Sequence, residues 1–262
     1  MVEASRDDRL AALRRRLEAL ERVGRQGRAV LPFAVPDVDK ALPGKGLALA
    51  ALHEVAGAGP EEEDGAVAAS FLAGILARLT PPLPILWCLA EGDLYGPGLA
   101  AAGLDPGRLI LAEARRPQEL LWAMEEGLKS PGLAAVVGEV AALSLPASRR
   151  LLLAAEASGV TGLALRRWRS GDAAAGQRLA PNAALTRWRV AAVPGDLSAG
   201  EPGIGRPRWQ VELWRCRGGV PMSWMMEACD ATGHVALAAA LADRPAAHLP
   251  PLRPLGGRRG LG

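Results

Sequence analysis

The sequence is poor in the residues from which most catalytic and metal sites are built: three histidines, three cysteines and one tyrosine in 262 residues. Cys88, Cys216 and Cys229 lie far apart, with no CxxC pair and no histidine at ligand spacing, so neither a zinc site nor a disulfide framework is expected. His53, His234 and His248 have no acid or nucleophile at a recognisable spacing, and no catalytic role, metal or cofactor is assigned to them. Lysine is almost absent. Lys40, Lys45 and Lys129 are the only three, so arginine supplies most of the 31 basic residues, against 28 acidic ones. Bidentate contacts to phosphate or carboxylate are therefore available. No run approaches the ~18 apolar residues needed to span a bilayer, and the N-terminus lacks the apolar stretch of a signal peptide. The expectation is a cytoplasmic protein with no membrane contact. Glycine and proline, 31 and 21 residues, predict long loops without reaching the low-complexity range.

What is present reads as an α/β protein. From Ser5 to Arg25, Leu10, Leu13, Leu17, Leu20 and Val23 recur at spacings of three and four, which predicts an amphipathic helix that could dock on a partner. Three prolines between Arg28 and Lys45 set it apart as an arm, residues 1–30. A core domain follows over 31–243, and 244–262 is a flexible tail of proline, glycine and arginine. Within the core, strands are expected at Leu49 to Ala56, Pro84 to Leu89, Leu109 to Ala112, Leu133 to Val137 and Val160 to Leu165. Helices are expected at Ala66 to Leu79, Pro117 to Lys129 and Pro146 to Ser158. This rhythm implies a mainly parallel sheet flanked by helices on both faces. Strands at Leu185 to Val193 and Trp209 to Cys216, and a hairpin from Met222 to Ala238, would add antiparallel edges.

A strand, a glycine-bearing loop and a helix is the setting of a nucleotide phosphate, and Gly57-Ala-Gly-Pro-Glu-Glu-Glu-Asp-Gly65 has that position. A P-loop needs GxxxxGK[ST], for its lysine grips phosphate and its hydroxyl binds magnesium. Here Ala66 and Val67 follow Gly65, so Gly57, Gly59 and Gly65 form a degenerate phosphate loop. The four acids in a loop of this length would oppose a polyphosphate. Gly138 stands where a P-loop enzyme carries its magnesium aspartate. Glu139 is one residue on, aimed at the opposite face unless the strand has ended. Glu91, after the second strand, has the position of a general base, although an ordinary surface or capping glutamate fits as well.

Ala41-Leu-Pro-Gly-Lys-Gly-Leu-Ala-Leu49, leading into Leu52-His-Glu-Val55 and Gly57, resembles the entry to the RecA ATPase core, and Tyr95 to Leu111 resembles the stretch after its second core strand. A closer resemblance is to the ImuA family, RecA-like accessory proteins of damage-induced mutagenesis. It is carried by Ala114-Arg-Arg-Pro117, Trp122-Ala-Met-Glu-Glu126, Ala134-Ala-Val-Val-Gly-Glu139, Ser148-Arg-Arg-Leu151, Ala155 to Gly162, Thr186-Arg-Trp-Arg189, Arg206-Pro-Arg-Trp209 and Leu213 to Gly219. The resemblance implies a RecA-like core working in translesion synthesis beside an ImuB-like, polymerase-like protein and an error-prone DNA polymerase complex, with RecA itself and a homo-oligomer as further partners. ATP hydrolysis does not carry over with it, so the expectation is an adaptor and not an enzyme. A DNA-stimulated ATPase using Lys45 or an arginine on phosphate, and a cell-division inhibitor of the SulA type, are the alternatives.

Between Arg166 and Arg217, ten arginines face four acids. Arg166, Arg167, Arg169, Arg187, Arg189, Arg206 and Arg208, interleaved with Trp188 and Trp209, suit single-stranded DNA, where guanidinium neutralises phosphate and indole stacks on bases. They equally suit a protein partner, or a half-buried strand with Trp188 inward and Arg187 and Arg189 on a solvated face.

Overall fold

The computed structural model describes residues 28–59, 61–167, 180–196 and 206–238. The expected helix bearing Leu10, Leu13, Leu17 and Leu20, the tail from 244, Arg169 and the side chain of Arg206 lie outside the described residues.

Two short strands, β1 (Val30–Leu31) and β2 (Leu47–Ala48), pair antiparallel around α1 (Pro36–Ala41). The main sheet then builds in βαβ order: β3 (Leu52–Gly57), α2 (Glu61–Ala77), β4 (Ile85–Leu89), α3 (Gly96–Ala101), β5 (Leu109–Glu113), α4 (Pro117–Leu128), β6 (Ala135–Val140), α5 (Leu145–Ser158) and β7 (Thr161–Arg166). The long strands β8 (Thr186–Asp196) and β9 (Arg206–Cys216), then β10 (Met222–Glu227) and β11 (Ala236–Leu237), complete it. The spatial order is β11-β10-β9-β8-β3-β7-β6-β4-β5. The six strands from β8 to β5 run parallel, and β9, β10 and β11 add antiparallel at the other side. Only one adjustment to the expected edge is needed: β8 joins β3 in parallel, and antiparallel pairing begins with β9.

Local signals explain the helices. Pro117 occupies the first turn of α4, whose Leu120, Met124 and Leu128 face inward. Ser144 caps α5 by accepting from the Ala147 amide at 3.3 Å, and Gly159 ends it at φ 85°. Alternation along the central strands fills two cores. Val55, Val137 and Leu163 meet Phe71, Leu72 and Ile75 of α2, together with Leu99 of α3. Leu52, Val136 and Ala164 meet α4 and α5 on the other face. The sheet is thus sandwiched, as continuous apolar strands require.

His53 lies inside this sheet, fully buried. Its Nε2 is 2.7 Å from the Ala48 carbonyl and its Nδ1 is 2.7 Å from the Thr186 hydroxyl, so Nε2 carries the proton and the hydroxyl donates to Nδ1. Burial lowers its pKa from 6.5 to about 4, although the bond to Ala48 opposes the change. The folded value lies below the unfolded one, so the stabilisation is complete above about pH 6.5 and is lost as pH falls through about 4. At ~1.36 kcal/mol per pH unit, this difference is worth about 3 kcal/mol. Urea unfolding midpoints measured from pH 7.5 to pH 4 should fall accordingly, and a flat profile would remove His53 as the cause of acid sensitivity.

Candidate functional site

In an open α/β sheet the crevice outside the carboxyl ends of the parallel strands is where ligands bind. Here it is formed by the β3–α2 connection and the ends of β4, β6 and β7. The connection is shorter than the expected acidic loop. Helix α2 begins at Glu61, so the acidic run forms its first turn and Gly65 belongs to the helix. Acids in a first helical turn are favoured by the helix dipole, which explains why the run does not prolong the loop. Of the three glycines, Gly57 ends β3 and Gly59 alone remains in the turn.

Asp64 decides the chemistry of this turn. Its side chain folds back so that Oδ2 accepts from the Gly59 amide at 2.6 Å and Oδ1 accepts from the Ala192 amide of β8 at 2.9 Å. The carboxylate ties α2, the loop and β8 together, and it occupies an amide donor of the kind that holds phosphate in a P-loop. Gly57 permits this approach, since a Cβ there would stand 2.9 Å from the Asp64 Cβ. Nearby, the Ala58 amide donates to the Val190 carbonyl at 2.9 Å, and the Arg189 guanidinium reaches the Ala58 carbonyl at 3.3 Å.

At the other side of the crevice, β6 continues through Val140 instead of ending at Val137. Gly138 and Glu139 therefore remain on opposite faces. Gly138 faces α4, where a Cβ would collide with the Met124 side chain. Glu139 faces the α2 side and is buried. Its Oε1 accepts from the Trp87 indole at 3.0 Å and its Oε2 accepts from Arg167 at 3.0 Å. Arg167 also donates two bonds to Asp93, at 2.9 and 2.7 Å. Burial pushes the Glu139 carboxyl above its ordinary range, while Arg167 and the Trp87 N–H pull it back. Asp93, just past β4, is thus a charged contact of the crevice that the sequence reading missed. Glu91 beside it is exposed.

The expected arginine and tryptophan surface is divided among three environments. Trp188 and Trp209 are core residues, 1% and 5% exposed, which leaves neither indole face open for a base. Trp188 packs with Phe33 and Phe71 at ring separations of 5.3 and 5.7 Å. Arg187 does point away from Trp188, but that face is not solvated. Arg187 is 3% exposed and bonded to Glu54 of β3 through Nε at 2.9 Å and Nη2 at 2.8 Å, with Trp214 under its guanidinium. Asn182 donates to the other Glu54 oxygen at 2.6 Å. Arg166 is buried as well, and desolvation lowers its pKa. Arg167 is held in the crevice by Glu139 and Asp93, and Arg189 pairs with Glu212 at 3.4 Å. Arg208 is half-buried on β9. One signal could have located the buried pair: a glutamate within Leu52-His-Glu-Val55, where burial on both faces demands a cationic partner.

Among the described residues no helix is long and apolar enough to cross a membrane, and no group of three or more His, Cys, Asp or Glu could hold a metal ion.

No family model matches the sequence. Two curated proteins named Protein ImuA, from Caulobacter vibrioides strains NA1000 / CB15N and ATCC 19089 / CIP 103742 / CB 15, are each 41% identical to the chain over 209 residues. The alignment covers 78% of this chain and 85% of theirs. The chain belongs to the ImuA family. A solved structure of the RadB recombinase matches this ImuA-family chain with a TM-score of 0.50 and 17% identity, over 78% of the chain and 98% of RadB. That likeness shows a RecA-like fold and nothing finer. A structure of SulA from Pseudomonas aeruginosa covers 44% of the chain with a TM-score of 0.38 and 24% identity, too weak a match to build on.

Proposed function

We propose that this ImuA-family protein is a non-hydrolytic, RecA-like adaptor of damage-induced (SOS) mutagenesis. In this reading it contacts an ImuB-like, polymerase-like protein within an error-prone translesion polymerase complex. The observation that carries the proposal is the Asp64 carboxylate on the Gly59 and Ala192 amides. A fixed negative charge stands where a triphosphate would need an open donor, in a loop with no lysine or hydroxyl behind it. Gly138 and the Glu139–Arg167 pair support the same reading, because neither offers a free carboxylate to magnesium. Lys45 is a poor substitute for the missing lysine. It precedes β3, while the loop follows it, and a six-residue strand separates them by roughly 20 Å.

Two measurements on the full chain test the proposal. Magnesium-dependent binding of a fluorescent ATP analogue, and phosphate release with and without single-stranded DNA, should both stay at background, while co-purification retains the polymerase-like partner. DNA-stimulated phosphate release abolished by Lys45→Ala would establish the ATPase alternative instead. The burial of Trp188 and Trp209 favours protein contact over base stacking as the work of the β8–β9 region.

A further inference from the structure

A second concavity lies at the opposite end of the sheet from the crevice, where β1 and β2 meet the start of β8 and the end of β9. It is open to solvent and offers about 70 Å³ of accessible space, too small for a drug-sized ligand and suited to a single aliphatic side chain. Its walls are aliphatic: Val30, Leu42, Pro43 and Leu185. Two polar groups beside it are already bonded within the protein. The Thr186 hydroxyl is engaged by His53 and by the Trp188 indole at 2.7 and 2.8 Å, and the Ala48 carbonyl by His53. Backbone bonds from Leu49 to Ala29 and from Arg217 to Leu185, both 2.8 Å, hold the walls together, so the cavity is preformed.

The rim is basic. Arg28 and Arg217 line it, and Lys45 stands exposed between the lining glycines Gly44 and Gly46. Lys45 has a φ of 62°, next to Gly44 at 72°, so the turn holds it in a backbone conformation that L residues avoid. Glu156 engages Arg28 at 2.7 Å. Arg217 and Lys45 extend into solvent.

We infer that this cavity is a docking site for an acidic segment of a partner protein, which inserts an apolar side chain between Val30, Leu42 and Leu185 and sets its carboxylates against Arg217 and Lys45. Two other occupants fit less well. A nucleic acid would match the charge, but among the described residues no aromatic side chain lines the cavity to stack on a base. The chain's own residues 1–27 precede Arg28 in sequence, yet they carry seven arginines against five acids, the wrong sign for a basic mouth. The inference rests on the adaptor reading for its place in lesion bypass. It does not depend on the state of the phosphate loop, so detected ATP hydrolysis would leave it standing.

The test selects a phage-displayed library of random 16-residue peptides on the full-length protein, with counter-selection on Lys45→Glu/Arg217→Glu. Both substitutions are on exposed side chains, and an unchanged melting curve verifies that this variant folds. Enriched sequences should place Asp or Glu beside Val, Ile, Leu or Met. As synthetic peptides they should bind at least tenfold more weakly to that variant and to Val30→Trp, which fills the cavity. No enrichment, enrichment of sequences lacking the acidic and apolar pair, or equal binding to the folded double variant would overturn the proposal. So would displacement of the peptides by a 20-residue oligothymidylate, which assigns the cavity to DNA, or by a synthetic peptide of residues 2–25, which assigns it to the chain's own arm.

Discussion

Arg187→Ala should lower folding stability by about 3–5 kcal/mol, the usual cost of removing one partner from a buried ion pair. Glu54 and Arg187 are 2% and 3% exposed, on adjacent parallel strands. Without the guanidinium, Glu54 would keep the Asn182 amide and the field of Arg166 but lose two charge-assisted bonds. Its carboxylate would then stand in the sheet interior without its bonded counter-charge. Urea denaturation at pH 7 reads the loss. The paired replacement Glu54→Leu/Arg187→Met should recover much of it, because two apolar side chains leave no charge to solvate. An arginine serving only DNA would behave differently, with stability unchanged and binding weakened. A loss under about 1 kcal/mol would show that Glu54 is neutralised by other means and would return Arg187 to the list of surface contacts.

Gly138→Asp should cost more than about 3 kcal/mol or prevent folding, by adding overpacking to an unpaired buried charge. The substitution restores, by position, the carboxylate that a P-loop enzyme gives to magnesium. Its Cβ would meet Met124, itself fully buried against β6, and its charge would enter the core shared by α4 and α5. Gly138→Asp/Met124→Ala relieves the collision but keeps the charge, so it should regain only part of the stability and should not acquire magnesium-dependent nucleotide binding. Native stability in the single variant would mean that α4 yields easily, and would weaken the view that packing against Gly138 has closed this position to a metal ligand.

Much of the architecture was legible because it is written locally. Ser144, Pro117 and Gly159 mark helix ends through their own backbone and side-chain geometry. The apolar runs at Ile85–Leu89 and Thr161–Arg166 become central strands because no polar face interrupts them. The degenerate phosphate loop was also legible, since it is defined by the absence of a lysine and a hydroxyl after Gly65. The extent of the loop was not. A run of acids is compatible with a solvated turn or with the first turn of a helix, and the long helix α2 settles it.

By itself the sequence determined the strand and helix alternation, the family resemblance and the absence of a lysine and a hydroxyl after Gly65, all of which depend on residue identity and short spacing. Tertiary structure decided what each side chain meets. Period-two alternation sent Trp188 and Arg187 to opposite faces, but only the approach of Glu54 and Asn182 made the second face an interior. The docking of Asp64 on β8 and the basic-rimmed cavity likewise join residues more than a hundred positions apart. Burial is set by segments that meet through the whole sheet, and no local pattern encodes which distant chain will arrive.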